Sequence, residues 1–280
     1  MIWFITGTSR GLGRALAIAA LQAGDRVVAT ARKPSELDDL VARFGDGILP
    51  AELDVTRADQ AESAVAAAIE RFGGIDVVVN NAGYANLGPI ETMDDFRTQF
   101  ETNFWGVYHV TRAVLPVMKA QHGGTIVQFT SIGARVGGQP GLGSYQASKF
   151  AVDGFTRVLA AETAPFGIRT MVVEPGGFAT DWSGSSMRVH DIPPEYDATV
   201  GAMARRLGDA NMTQADPERG AEILVRVVKS GHLPTHLPLG ANAARMAVEF
   251  EQRRLAEALK WAELSSSAAY GAKYPVDIPV

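Results

Sequence analysis

Thr6-Gly7-Thr8-Ser9-Arg10-Gly11-Leu12-Gly13 lies between the apolar run Ile2-Trp3-Phe4-Ile5 and an amphipathic stretch, and its reading decides the fold. Glycines at positions 7, 11 and 13 would let the backbone approach a pyrophosphate, while the N-terminus of the following helix offers free amides and the positive end of its dipole. The spacing is G-x-x-x-G-x-G, not the G-x-G-x-x-G of the dinucleotide fingerprint, so the generic motif is not matched. A tight strand–helix turn accounts for one or two of these glycines and leaves the third unexplained. A rival reading uses the same letters: Gly7-Thr8-Ser9-Arg10-Gly11 is also G-x-S-x-G, the nucleophile elbow of a hydrolase. That elbow needs an oxyanion loop from an earlier strand, and only eight residues precede Ser9. Gly13 has no task in it either. Phosphate binding is the better reading.

Beyond the loop, short apolar runs alternate with longer amphipathic stretches. The runs are 2–6, 26–30, 48–53, 75–79, 125–130 and 168–173. Several are apolar on consecutive residues, as strands buried on both faces should be. Helical segments are expected at Leu12–Ala23, Ser35–Phe44, Ala58–Phe72, Asp94–Lys119 and Tyr145–Ala164. Thr56 followed by Asp59 reads as a capping box for the third, and Pro34 stands at the start of the second. This alternation predicts an α/β, doubly wound parallel sheet with helices on both faces. From 182 to 214 the pattern breaks down into Ser, Gly, a Pro-Pro pair and scattered Met, 232–240 could hold a last strand, and residues from 241 to 280 read as a helix and a tail. No internal repeat or low-complexity segment is present.

Composition narrows the function. At 280 residues and 46% hydrophobic, the chain can bury the core of one large domain. A net charge of −5 with no basic block disfavours nucleic acid or an anionic membrane as partner. The absence of cysteine excludes disulfides, thiolate metal sites and a Cys nucleophile. The start MIWFITG lacks a signal-peptide pattern and no run reaches membrane-spanning length, so a cytoplasmic location is expected.

In a doubly wound sheet, ligands bind beyond the carboxyl ends of the strands. After the second strand, where an NAD site would carry an acid, the sequence reads Thr30-Ala31-Arg32-Lys33. A carboxylate would repel a 2′-phosphate, whereas Arg32 can bind one through paired, charge-assisted bonds, with Arg10 as a second cation. NADP is therefore expected over NAD, and Lys33 is read as a solvated charge. Asp54, followed by Val55, would either hydrogen-bond an adenine amino group or order the turn before Thr56. Asn81, Ala82 and Gly83 follow the fourth run, Ser131 the fifth, and Pro175-Gly176-Gly177-Phe178-Ala179-Thr180 the sixth. In Ser144-Tyr145-Gln146-Ala147-Ser148-Lys149, a tyrosine and a lysine stand one helical turn apart. An ammonium there would make the phenol a usable acid near neutral pH.

The set TGTSRGLG, NNAG, Asn103, Ser131, YQASK and PGGFAT resembles the short-chain dehydrogenase/reductase family over residues 2 to about 181. The resemblance implies a single Rossmann-like catalytic domain over 1–280 with a seven-stranded parallel sheet. It also implies a substrate lid around 182–214 and hydride exchange between NADP(H) and a carbonyl/alcohol pair. Tyr145 would be the acid/base, Lys149 would bind the nicotinamide ribose and lower the tyrosine pKa, Ser131 would hold the substrate oxygen, and Asn103 would support a proton-relay water. The cofactor would lie along Gly7, Ser9, Arg10, Gly11, Leu12, Gly13, Arg32, Asp54, Val55, Asn81, Ala82, Gly83, Pro175, Gly176, Phe178 and Thr180, with Tyr145 and Lys149. Ser131 lies fourteen residues before Tyr145, one more than is usual in the family, and Thr130 is the weaker candidate for its place. The substrate would be a mid-sized hydrophobic carbonyl or alcohol, covered by Trp182, Met187, Ile192, Tyr196, Met203 and Met212, although these side chains could equally cover the protein's own core. A homodimer or homotetramer is expected through the 94–119 and 145–164 helices. An NAD-linked relative and a non-catalytic dinucleotide-binding regulator are the alternatives. No metal site is expected, because His232 and His236 flank Pro234 without acidic company, while His109, His122 and Trp105 read as packing or solvated residues.

Overall fold

The computed structural model describes residues 1–180, 187–209 and 214–279. Seven strands form one parallel sheet: β1 (Ile2–Ile5), β2 (Arg26–Ala31), β3 (Ile48–Glu52), β4 (Val77–Asn80), β6 (Gly124–Phe129), β7 (Ile168–Pro175) and β9 (His236–Leu239), in the order β3-β2-β1-β4-β6-β7-β9. The apolar runs supply both faces at once. In β1, Trp3 and Ile5 join one core with α1 (Gly11–Gln22) and α9 (Pro217–Ser230), through Leu16, Ala20, Leu224 and Val228. Ile2 and Phe4 point to the other core, with α3 (Ala58–Phe72), α5 (Gly106–Ala120) and α7 (Gly143–Thr163), through Ala64, Ala68, Val110, Val114 and Leu159. That alternation is the period-two geometry of a strand applied to residues that are all apolar. The chain runs outward from β1 to β3 on one side and from β4 to β9 on the other. The crevice of a doubly wound sheet therefore opens beyond β1 and β4, where the glycine loop and Asn81-Ala82-Gly83 lie.

Three local expectations need correction. Thr56 does not cap α3: the N-cap is Arg57, and the Thr56 N–H and hydroxyl both donate to Asp54 Oδ1, at 3.0 and 2.8 Å. The second helical stretch is a 3₁₀ turn (Pro34–Leu37) leading into α2 (Asp38–Phe44). The long 94–119 helix is α4 (Phe96–Phe100), a π turn (Glu101–Trp105) and then α5. A side chain at Gly106, where α5 begins, would place Cβ 2.5 Å from Val55, so glycine lets the helix lie against the end of β3.

A second, two-stranded sheet pairs β5 (Ala85–Leu87) with β8 (Met187–Val189), the one strand in the described part of the 182–214 segment. An ion pair reinforces it, Arg188 lying 3.1 Å from Asp95, with His190 Nε2 3.0 Å from the same carboxylate. Next comes α8 (Ala202–Leu207). Met187, Ile192, Tyr196 and Met203 pack round Leu87, Leu142 and Val200, while Trp182 and Met212 lie outside the described residues. No helix among the described residues is long and apolar enough to cross a membrane.

The last helix, α10 (Ala241–Ser266), is anchored only at its beginning. Ala243 and Ala247 are buried against Ile132 and Val136 of the loop that includes α6 (Gly133–Val136), whereas 251–263 are exposed on every side. Arg135 bridges the junction, its Nε donating to both Glu174 oxygens at 3.1 and 3.0 Å and its Nη1 to Glu251. Burial pushes the Glu174 carboxyl above its ordinary range against the opposing pull of Arg135. Arg135→Met should therefore leave a buried carboxylate uncompensated and cost about 3 kcal/mol, against about 0.5 kcal/mol or less for Glu251→Gln at the exposed end. Chemical denaturation of the two variants checks the contrast.

Candidate active site

The carboxyl ends of the strands enclose one cleft of about 1870 Å³. This exceeds the roughly 300–1,000 Å³ of a pocket for one small molecule and leaves room for two ligands. Its phosphate end is set by backbone geometry. Gly7 and Gly11 have φ of +70° and +59°, the left-handed region that favours glycine. Gly13 is required for a different reason: a Cβ there would lie 2.3 Å from the Gly7 carbonyl oxygen and 2.4 Å from Asn81 Nδ2. It lets α1 close onto the loop. Asn81 holds that closure, its Nδ2 donating to the carbonyls of Thr6 (2.9 Å) and Gly7 (3.2 Å), while the Asn81 and Ala82 amides donate to Thr6 Oγ1. Asn81 borders the cleft, as expected, but its side chain is spent on bracing the loop.

Around this cradle, Ser9, Arg10, Leu12, Arg32, Asp54, Val55, Ala82 and Gly83 all border the cleft, as does Lys33, which had been expected only to face solvent. Arg32 is exposed at the end of β2 and has no acidic partner among the described residues. Asp54 turns one oxygen to Thr56, so it does order that turn. Pro175, Gly176, Phe178 and Thr180 border the cleft from β7. Phe178 does so with its backbone, because its ring is buried in the α1–α9 core, where a Cβ at Gly220 would lie 2.6 Å from it.

Ser131, Tyr145 and Lys149 come together on the β6–β7 side. Tyr145 and Lys149 are 7% and 4% exposed. Burial pushes the Tyr145 phenol up to about 12, opposed by a hydrogen bond with Ser131. Burial likewise pulls the Lys149 ammonium down to about 8, and Nζ donates to the Phe129 carbonyl at 2.8 Å. The expected lowering of the tyrosine by the lysine is thus not what these residues produce by themselves: burial raises the phenol, and the ammonium is turned toward a backbone oxygen. Thr130 is buried, and its Oγ1 donates to Val173 O at 3.0 Å inside the sheet. Between Ser131 and Tyr145 the chain forms α6 and a turn where Gly137, Gly138 and Gly141 all have positive φ.

Asn103 sits in the π turn, fully buried. Its Nδ2 donates to Tyr84 O (3.0 Å) and Ser148 Oγ (3.1 Å), and its Oδ1 accepts from Tyr84 N (3.1 Å). The side chain is committed to protein partners, leaving any water contact to its backbone. Gly83 is small for its neighbours' sake, because a Cβ would come within 3.0 Å of Asn103 Oδ1 and 3.4 Å of Lys149 Nζ.

A family model described as short chain dehydrogenase matches residues 1–189. The chain belongs to the short-chain dehydrogenase/reductase family. Over 272 residues it is 47% identical to Oxidoreductase BOA17 of Botryotinia fuckeliana (strain B05.10), covering 96% of this chain and 99% of that one. A short-chain dehydrogenase structure from Streptomyces avermitilis superposes with a TM-score of 0.88 at 34% identity, over 96% of this chain and 98% of the other. A Burkholderia cenocepacia J2315 short chain dehydrogenase in complex with NADP gives 0.73 at 28% identity, over 92% and 95%. This short-chain dehydrogenase/reductase is thus an oxidoreductase by family, and its seven-stranded sheet is that of its relatives.

Of the residues that face the cleft opposite the cradle, sequence reasoning named Met187 and Met203 and missed the rest. Tyr84, Leu142, Met187, Met203, Leu207 and Met246 line that side. Burial first, and then the Asp95 carboxylate, push the Tyr84 phenol up, so it stays a protonated donor. Its place directly after NNAG was the available signal. Leu207 and Met246 carry no such mark. In this short-chain dehydrogenase/reductase, Met187 and Met203 pack round Leu142 and also border the cleft.

Proposed function

We propose that the protein transfers hydride between NADP(H) and a carbonyl/alcohol pair of mid-sized, largely apolar character. The observation that carries this is the meeting of Ser131 with the buried Tyr145 and Lys149 in the same cleft as the glycine cradle and Arg32, which has no acidic partner among the described residues. The dinucleotide fits the residues present. Gly7 and Gly11 take the backbone shape of a phosphate loop, α1 begins at Gly11 with no carboxylate in its first turn, and β2 ends in a cation rather than an acid. Arg32, with Arg10 beside the loop, would hold a 2′-phosphate; Gly7 to Gly13 would hold the pyrophosphate.

When bound, the dinucleotide supplies or receives the hydride. The chain's own residues do the rest. In reduction, Ser131 Oγ donates to the carbonyl oxygen as negative charge builds there. Tyr145, protonated across the physiological range, passes its phenolic proton to that oxygen. Lys149, charged below about pH 8, stabilises the phenolate left behind. Leu142, Met187, Met203 and Leu207 offer the apolar wall for the rest of the substrate, and the methionines let it adapt to shape. Association into a homodimer or homotetramer through the α4–α5 and α7 faces is supported by Trp105, Phe150 and Val158, which are 42%, 43% and 58% exposed there.

Arg32→Asp tests the cofactor reading. The substitution removes paired charge-assisted bonds of roughly 1.5–3 kcal/mol each and repels a 2′-phosphate, so NADPH binding should weaken ten- to a hundredfold while NADH binding improves. Titration of the two reduced dinucleotides reads this directly. Unchanged preference would make the protein the NAD-linked relative, or leave the 2′-phosphate to Arg10 and Lys33.

A further inference from the structure

The first turn of α7, which carries Tyr145, lacks an ordinary cap. Its N-cap residue is Leu142, which makes no side-chain bond to the first-turn amides. A Ser, Thr, Asp or Asn would normally hold them. Something else has to keep the phenol in place.

Two fully buried serines flank Tyr145 and Lys149 at i and i+4: Ser144 and Ser148. They meet two fully buried amides, also at i and i+4, on the segment running from α4 into the π turn: Gln99 and Asn103. The pairs form two rungs. In the first, Ser144 Oγ donates to Gln99 Oε1, and Gln99 Nε2 donates to Tyr84 O at 2.9 Å. In the second, Asn103 Nδ2 donates to the same carbonyl and to Ser148 Oγ, whose hydroxyl donates to Tyr145 O at 2.7 Å. Tyr145 lies between the rungs. Packing by itself would be served as well by apolar side chains of the same volume. What a satisfied polar network adds is one orientation of helix, loop and turn.

We propose that Gln99, acting through Ser144, is a positioning residue that holds Tyr145 against Ser131 and in register with the Gly83-Tyr84 loop. This rests on the reading of Tyr145 as proton donor. The second rung fixes the backbone behind Tyr145, whereas the Gln99 rung fixes the uncapped turn in front of it. A tyrosine displaced by about 1 Å still binds and folds, but it transfers its proton about a hundredfold less well.

The experiment measures kcat, KM, NADPH affinity and thermal melting for Gln99→Leu and Ser144→Ala, each alone and combined with Tyr145→Phe. The expected result is a ten- to hundredfold fall in kcat for each single variant, with KM and NADPH affinity unchanged. In the Tyr145→Phe background the same substitutions should take nothing further from the residual rate. An equal loss in that background overturns the proposal, since general loosening would be acting instead; so does a wild-type kcat in Ser144→Ala with Tyr145→Phe inactive. If Tyr145→Phe itself keeps the wild-type rate, the proton-donor reading fails and takes this one with it. Should Gln99→Leu not fold, Ser144→Ala removes only one oxygen and decides the matter alone.

Discussion

Tyr145→Phe should lose about a thousandfold in kcat for carbonyl reduction while NADPH still binds. A positioned proton donor contributes roughly 10² to 10⁴ to rate, and Tyr145 is the one buried phenol bonded to Ser131. Phenylalanine keeps the ring that fills the site and removes only the proton. Isothermal titration with NADPH and steady-state assays against ketones, aldehydes and quinones separate the two effects. Retained turnover would remove Tyr145 from the mechanism. The wild-type pH profile carries a second signature. Tyr145 remains protonated up to about 12, so its proton is available throughout the assay range. Lys149 loses its charge as pH rises through about 8, and with it the support for a developing phenolate. The free-enzyme kcat/KM for reduction should therefore be flat at neutral pH and fall on the alkaline side of 8. Lys149→Met should flatten that limb at a low rate.

Gly13→Ala should disable the cradle outright. The new methyl would lie 2.3 Å from the Gly7 carbonyl oxygen and 2.4 Å from Asn81 Nδ2, and the first of these is backbone that cannot swing aside. Relief means pushing α1 off the loop and breaking the Asn81 bonds to Thr6 and Gly7. Overpacking of this kind costs about 1–3 kcal/mol, and each lost hydrogen bond about 1 kcal/mol more. NADPH affinity should drop by about a hundredfold or more on those figures, with a lower melting temperature. Gly154→Ala is the contrasting change: it lies in α7 between Phe150 and Val158, with nothing within 4 Å of the added carbon in one protomer. It leaves the cradle untouched, so NADPH affinity should stay at the wild-type value. A Gly13→Ala protein that binds NADPH like wild type would mean that the loop does not hold the cofactor in this shape.

The features legible in the sequence were those written in local pattern. Strands such as Val77–Asn80 announce themselves because both faces are buried and three valines run in succession. The glycine loop is legible because left-handed backbone and close approach permit few residues. Arg32 was legible as an absence, a missing acid at a known place. What stayed hidden depends on partners far along the chain. Asn81 and Asn103 read as cofactor and water ligands, yet their side chains brace Thr6, Tyr84 and Ser148. Thr56 carried the letters of a cap and spends its hydroxyl on Asp54 instead. The pKa of Tyr145 could not be read from the lysine one turn away, because burial, not spacing, decides it. Gln99 gave no signal at all, since nothing local distinguishes a buried glutamine from a solvated one.

The order of the sheet has a consequence for how the chain is made. β1 precedes the other described strands in the chain, and it ends up with neighbours on both sides. β2 docks on β1, β3 on β2, β4 on β1, β6 on β4, β7 on β6 and β9 on β7. Each strand of the large sheet after β1 finds one partner already synthesised, and only β1 keeps an inner edge open while β2 and β3 are made, until β4 follows. Parallel pairing across long connections is slow and exposes sticky edges while it lasts. Growth outward from the first strand shortens that exposure at each step. The growing sheet then keeps the β3 edge and its newest edge open, until β9 emerges and the first turns of α10 pack Ala243 and Ala247 against Ile132.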